Sequence, residues 1–377
     1  MDILLTYVLP FVGMLMALIV IHEFGHYVTA KMFGVKVLEA GIGFPPRAWG
    51  FTWRGTIYSI NWLPLGGFVR LLGEEDPEDP ESLATQAAWK RLIILASGGV
   101  LNLALPILLF AIVFMLPREV PVGPVVIDVV EQGSPAEVGG GEGGLLAGDE
   151  IITIDGKEIA NTIDASRAIR LNLGDTLDFE VQRNFFGGGS GVVEVPVVAR
   201  WSPPEGQGPT GIRIHNLVAG SAVCQGEGRP DQCYFTEQYG FFESIPKGWT
   251  ATWETLTLAR NQVIMIFKGG GGPDLAGPVG IAQVTGEVVD ESGWESLLQL
   301  AALLSINLGI INLLPLPMLD GGRIAFVLLE VARRGKRIAP EKEAIVHLVG
   351  LALIITLAVV VTYFDIARII AGGSLFE

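Results

Sequence analysis

Four long uncharged apolar runs dominate the chain, at residues 3–21, 92–116, 296–319 and 344–364. A helix needs about 20 predominantly apolar residues to cross the hydrocarbon of a bilayer, so the pattern predicts four spans. Between the second and third runs the periodicity changes. Short strand-like runs at 124–130, 150–154, 176–183 and 192–199 are separated by turn signals such as Asp155-Gly156 and the glycines of 187–191. One short helix fits residues 163–171. Residues 202–245 are rich in Pro and Gly and read as irregular. From Pro246 to Phe267, the residues Trp249, Trp253, Leu256, Val263 and Phe267 recur at mostly helical spacing. Trp-rich amphipathic helices often lie in a membrane interface, which is the favoured reading; a helix packed on the outer domain is the alternative.

Composition agrees with the spans. Half of the residues are hydrophobic and 17% are charged, against about 25% in soluble globular proteins. That excludes disorder, and a formal net charge of −15 argues against a nucleic-acid binder. Basic residues set the orientation. Lys31, Lys36, Arg47, Arg54, Arg70, Lys90 and Arg91 lie between the first two runs, and Arg323, Arg333, Arg334, Lys336, Arg337 and Lys342 between the last two. By the positive-inside rule both loops are cytoplasmic, so both termini face outside. Residues 117–295 hold 25 acidic and 11 basic residues, nearly the whole charge excess, and read as an extracytoplasmic domain. The first run has Asp2 in place of a basic leader and no small-residue cleavage site, so it is expected to stay as a span. Cys224 and Cys233 are too few for a disulfide scaffold or a four-cysteine zinc site; they close a small loop or stand as two thiols.

The chemistry begins at His22-Glu23-Phe24-Gly25-His26. Positions i and i+4 share a helix face, so both imidazoles can bind one zinc ion while the adjacent carboxylate reaches a bound water. Ionisable groups in a membrane run are costly and functional by default. A catalytic zinc site takes three protein ligands and one open position. The remaining candidates near the membrane are Asp320, Glu330 and His347. Asp320 ends the third inward run, so it falls in the same leaflet as His22. His347 is not excluded by depth, but it lacks flanking special backbone. Pro315 and Pro317 break the helix ahead of Asp320, and irregular backbone in lipid survives only when buried in protein or lining a cavity. Asn307 and Asn312 occupy neighbouring faces; their amides could bind extended substrate backbone or bond between helices.

The pairing of HEFGH in the first run with NLLPLPMLDGG in a later one resembles the site-2 protease family of intramembrane zinc metalloproteases. The resemblance covers nearly the whole chain. It implies zinc ligation by His22, His26 and Asp320, Glu23 as catalytic base, and Asn307, Asn312, Pro315 and Pro317 at the substrate. Residues 41–69, including Gly67 and Phe68, are similar to the family's membrane-associated β-hairpin. Residues 145–156 resemble the strand-and-turn of PDZ domains, which bind peptides by strand addition. The implied branch cleaves membrane-bound anti-sigma factors. One PDZ-like unit is found here, where several relatives carry two.

The expected architecture is α-helical and membrane-embedded, with four transmembrane helices, a membrane-associated β-hairpin and one inserted extracytoplasmic PDZ-like α+β domain. Its layout is a first span with the histidines (1–33), a cytoplasmic-side hairpin region and loop (34–91), a second span (92–116), the PDZ-like domain (117–201), an irregular insertion (202–245), an amphipathic juxtamembrane region (246–295), a third span with its aspartate motif (296–331), a loop (332–343) and a last span (344–371). The expected activity is zinc-dependent endoproteolysis of single-span membrane proteins in the cytoplasmic membrane, an anti-sigma factor or a remnant signal peptide being compatible targets. Peptide C-termini or strands are expected at the PDZ-like domain. The alternative is a PDZ-type membrane peptide receptor with a non-catalytic metal site. A transporter is disfavoured by four unequal spans without repeated halves.

Overall fold

The computed structural model describes residues 4–73, 79–139, 143–185, 188–204, 206–217, 233–269, 277–293 and 295–371. They form two compact units, one from residues 1–113 with 274–377 and one from residues 114–273.

In the first unit a π-helical turn, Leu4–Val8, leads into α1 (Leu9–Met32). Pro10 stands in the first turn of α1, where its missing N–H costs no hydrogen bond. Two long strands follow, β1 (Val37–Trp53) and β2 (Thr56–Leu71). Arg54 and Gly55 join them with positive φ at both positions, the turn whose twist suits a hairpin. The hairpin folds back on itself: Ala40 pairs with both Tyr58 and Val69, and Trp49 with Ile60. The segments therefore lie in the order 47–53, 56–61, 37–44, 67–71. The helix α2 (Ala88–Met115) is next.

The second unit holds β3 (Arg118–Val122), β4 (Val125–Val130), α3 (Pro135–Val138), β5 (Glu150–Ile154), β6 (Lys157–Glu158), α4 (Thr162–Leu171), β7 (Thr176–Asn184), β8 (Ser190–Val198), β9 (Ile212–Asn216), β10 (Cys233–Glu237) and α5 (Phe241–Phe267). The main sheet is antiparallel in the order β8-β7-β5-β4-β9, with β6 on β5; β3 pairs with β10 apart from it. Phe179, Ile127, Ile151, Ile154, Leu177 and Leu145 centre its core. Asp155 and Gly156 turn with positive φ, as their sequence implies.

Two expected boundaries are corrected here. Residues 202–245 are not simply irregular, and the domain does not end at 201: β9 completes the main sheet beside β4, and β10 pairs with β3. Both strands are five residues long and their partners lie far back in the chain, so local patterning carries little of their signal. Cys224 lies outside the described residues, and so does the choice between a closed loop and two thiols. The region 246–295 is not one element either. Its first helix, α5, belongs to this second unit and buries Ser244, Gly248, Thr252 and Asn261. The Asn261 amide donates to the carbonyls of Arg170 and Leu171, closing the C-terminus of α4. The polar face of α5 is thus packed, while Trp249, Trp253 and Phe267 are exposed.

The chain returns to the first unit with α6 (Pro278–Ser292), α7 (Ser296–Leu313), α8 (Asp320–Ala332) and α9 (Pro340–Ile370). Asp365 of α9, fully buried, accepts the Gly280 N–H at 2.8 Å and so anchors the first turn of α6. The third apolar run is not continuous helix to residue 331. It stops at Leu313, because Pro315 and Pro317 lack N–H groups and clash with a preceding turn, and helix resumes at Asp320. Among the described residues, four helical segments are long and apolar enough to cross a membrane: Leu5–Met32, Ala88–Met115, Ser296–Leu313 and Pro340–Ile370.

Candidate metal centre

His22 and His26 project from one face of α1, with ring centroids 4.8 Å apart. Asp320 comes from the first residue of α8, almost three hundred positions later. The three meet closely. His22 Nε2 lies 3.0 Å and His26 Nε2 3.1 Å from Asp320 Oδ2, and the two Nε2 atoms are 3.1 Å apart. Among the described residues these form the cluster able to share a metal ion. Donors arranged tetrahedrally at zinc bond lengths of about 2.0–2.2 Å stand roughly 3.3–3.6 Å from one another. The observed triangle is slightly tighter, so a small opening admits the ion.

The surrounding helices explain the convergence. Gly25 of α1 faces Ser97 of α2, where a Cβ would stand 2.6 Å from the Ser97 carbonyl oxygen. Gly99 of α2 and Gly309 of α7 face each other in the same way. Small residues let membrane helices approach closely, and here they bring α1, α2 and α7 together. The other ring nitrogens are then held. His26 Nδ1 donates to the Ile94 carbonyl at 2.8 Å, leaving Nε2 as the donor atom for a metal. His22 Nδ1 lies 3.4 Å from the Asn102 amide nitrogen. Asn102 is fully buried and its Oδ1 lacks a partner; a half-turn of the amide presents that oxygen to a His22 Nδ1–H.

A family model described as peptidase family M50 matches residues 10–357. The chain belongs to that family. It is similar to the zinc metalloprotease RasP of Oceanobacillus iheyensis, with 31% identity over 97% of this chain and 100% of the relative. The zinc metalloprotease RasP of Geobacillus kaustophilus is 29% identical over 96% of this chain and 98% of its own length. This M50 protein is thus a membrane-embedded zinc metalloprotease of the site-2 protease family, and the donor set on α1 and α8 fits its zinc ion.

Of the three carboxylate or imidazole candidates for the third ligand, Asp320 alone joins the histidines. Glu330 pairs instead with Arg91 at 2.7 Å and Arg337 at 3.2 Å. His347 accepts the Met318 N–H at 2.8 Å. Glu23 lines a cavity of about 370 Å³ between α1 and the hairpin, with Phe24, Tyr27, Gly41, Tyr58 and Phe68 among its walls. The Val69 backbone stands beside the Glu23 carboxylate, and a Cβ on Gly67 would lie 3.8 Å from Glu23 Cγ. Gly67 and Phe68 are therefore brought to the site. Asn307 is exposed on α7, and the Asn312 amide donates to the Leu308 carbonyl of its own helix. Pro315 is exposed, and Pro317 packs against Gly350 of α9.

Sequence reasoning missed several contributors. Gly98 sits under both imidazoles; its signal was a glycine pair inside an apolar run. Asn102 was visible as a rare polar residue in the second run. The Tyr27 and Tyr58 hydroxyls, 2.6 Å apart in the cavity wall, gave no local signal at all. Burial, with the Tyr27 hydroxyl, pushes the Tyr58 phenol up to about 12, so it works as a neutral hydrogen-bonding group.

Proposed function

We propose that this protein cuts single-span membrane proteins within or at the edge of the bilayer, in regulated intramembrane proteolysis. The observation that carries the reading is the position of Glu23. It shares a spanning helix with His22 and His26 and faces a cavity walled by strand segments.

In this reading His22, His26 and Asp320 hold the zinc ion and Glu23 is the general base. When bound, zinc polarises the scissile carbonyl and lowers the pKa of the attacking water. Glu23 takes the proton of that water and passes it to the departing amine. The Val69 backbone stands beside the Glu23 carboxylate at the cavity wall. A substrate helix hides its carbonyls in its own hydrogen bonds, so it has to unwind. Gly67, Phe68 and their neighbours on the hairpin supply backbone for the freed segment. Asn307, Asn312, Pro315 and Pro317 border its path.

The orientation follows the basic loops: both termini and residues 114–273 lie outside the cytoplasmic membrane, with the metal centre toward the cytoplasmic leaflet. The antiparallel sheet of that outer unit is read as PDZ-like, taking peptide ends or strands at an edge. The exposed Trp249, Trp253 and Phe267 suit an interfacial α5. Anti-sigma factors and remnant signal peptides are the substrates this arrangement fits.

The test compares detergent-purified wild type with Glu23→Gln on a tagged single-span substrate, with zinc content measured for both. Equal zinc near one per chain, with cleavage by wild type alone, is expected. Zinc in both and cleavage in neither, across several substrates with their outer domains already removed, overturns the protease reading in favour of a membrane peptide receptor.

A further inference from the structure

Pro315 and Pro317 carry no N–H, and the Leu316 and Leu319 N–H groups turn back onto the Leu314 and Leu316 carbonyls, so in the segment that carries Asp320 to the histidines the Met318 N–H needs a partner from elsewhere inside the membrane. Met318 holds φ at +73°, a left-handed conformation that a residue with a side chain keeps only when its surroundings enforce it. The enforcing contact comes from α9. His347, buried, accepts the Met318 N–H through Nδ1 at 2.8 Å. Its ring also lies 5.6 Å from that of Phe326 on α8. One turn further along the same face of α9, Gly350 meets Pro317 so closely that a Cβ would collide with the proline ring. His347 and Gly350 together cradle residues 317–318, with Leu319 alone between them and Asp320.

We propose that His347 is a positioning residue for the metal centre: by accepting the Met318 N–H it fixes the backbone that delivers the Asp320 carboxylate to His22 and His26. The inference rests on Asp320 being a zinc ligand. An Nδ1 that accepts a hydrogen bond requires the neutral ring with its proton on Nε2, which lies 3.7 Å from Glu343 Oε1. The role therefore belongs to one ring atom, and simple filling of space by the imidazole does not supply it.

That atom-level claim sets the experiment. Asparagine places an acceptor oxygen where Nδ1 stands; glutamine places its amide nearer Nε2; leucine keeps bulk without an acceptor. His347→Leu, His347→Asn and His347→Gln are purified in detergent beside wild type. Zinc retention against a chelator, thermal midpoint, and kcat and KM on a single-span substrate are measured for each. Residues that orient a metal ligand are worth about 10–100-fold in metal affinity. The expected result is about tenfold weaker zinc retention and a lower kcat at unchanged KM for Leu and Gln, with Asn within about threefold of wild type. Wild-type zinc retention in the Leu variant overturns the proposal. So does equal behaviour of Asn and Gln, or a loss that follows the thermal midpoint alone. Zinc retention is read without turnover, so a failure to cleave any substrate would count against the protease reading and leave the His347 comparison intact.

Discussion

Gly98 lies against the two imidazoles of the candidate metal centre so closely that a single methyl group on its Cα would collide with His26 Nε2 and stand 2.7 Å from His22 Nε2. The glycine is the floor of the metal centre. Overpacking a tight site costs about 1–3 kcal/mol, but here the displaced atoms are the donor atoms themselves. Gly98→Ala is expected to yield folded protein with little zinc and no cleavage. Metal analysis of the purified variant decides it, and a full complement of zinc would contradict the packing described here.

Asn102 is expected to matter through His22. With its amide oxygen toward His22 Nδ1, it fixes the tautomer that leaves Nε2 free for metal. Asn102→Leu should weaken zinc affinity about 10–100-fold, measured by competition with a chromogenic chelator. Unchanged affinity would place the tautomer under some other control.

The cavity beside Glu23 can be filled from its wall. A Cβ at Gly41 would stand 2.5 Å from the Phe68 ring and 2.7 Å from Ser59 Oγ, so a larger side chain has to displace Phe68, another wall of the same cavity. Gly41→Leu is expected to raise KM for a single-span substrate roughly tenfold, about 1.4 kcal/mol, with zinc content unaltered. Steady-state kinetics on both proteins reads this directly; equal KM would remove the cavity from the substrate path.

The first unit also carries a charged clasp away from the metal. Burial pushes the Glu330 carboxyl up, but the Arg91 and Arg337 guanidiniums outweigh it and hold the group below the usual glutamate range. A carboxylate with a depressed folded-state pKa contributes stability above its unfolded value of about 4.3, lost as pH falls from there toward the folded value. The thermal midpoint in detergent should therefore fall on acidification below about pH 4.3, and Glu330→Gln should flatten that part of the profile. Arg91→Met, which leaves the half-buried carboxylate with Arg337 alone, should lower the thermal midpoint at neutral pH. An identical acid limb in the Gln variant would assign it to other carboxylates.

The spans, the histidine pair and Asp320 were legible because each has a local signature: an uncharged run, an i, i+4 pair, a carboxylate after a proline-broken helix. The strand at 150–154 and the helix near 163–171 were equally plain from alternation and turn chemistry. What was hidden depends on partners distant in sequence. The strand Ile212–Asn216 is a strand because β4 accepts it. The helix break at Leu313 was half visible: Pro315 and Pro317 announced it, but nothing local said that Asp320 would open a new helix. Helix α5 shows a different limit. Its periodic aromatic residues marked a face, yet the packed face is the polar one, with Asn261 closing α4. His347 was legible as a buried-depth histidine and illegible as a partner of Met318, since a backbone N–H that needs an acceptor leaves no mark in a sequence.

The folded-back hairpin has one more consequence. Its segment 67–71 pairs with residues 37–42 on one side and is the last strand of the order, and Gly67 within it lies beside Glu23. An edge of this kind recognises main chain, to which side chains contribute little. For the single-span substrates proposed above, selection among helices then falls to the energy of melting them. A segment with glycine, proline or β-branched residues gives up its helix for about 0.5–3 kcal/mol less per residue than one built of alanine and leucine. Under this arrangement, the identity of a substrate is written in how poorly it holds its own helix at the cut.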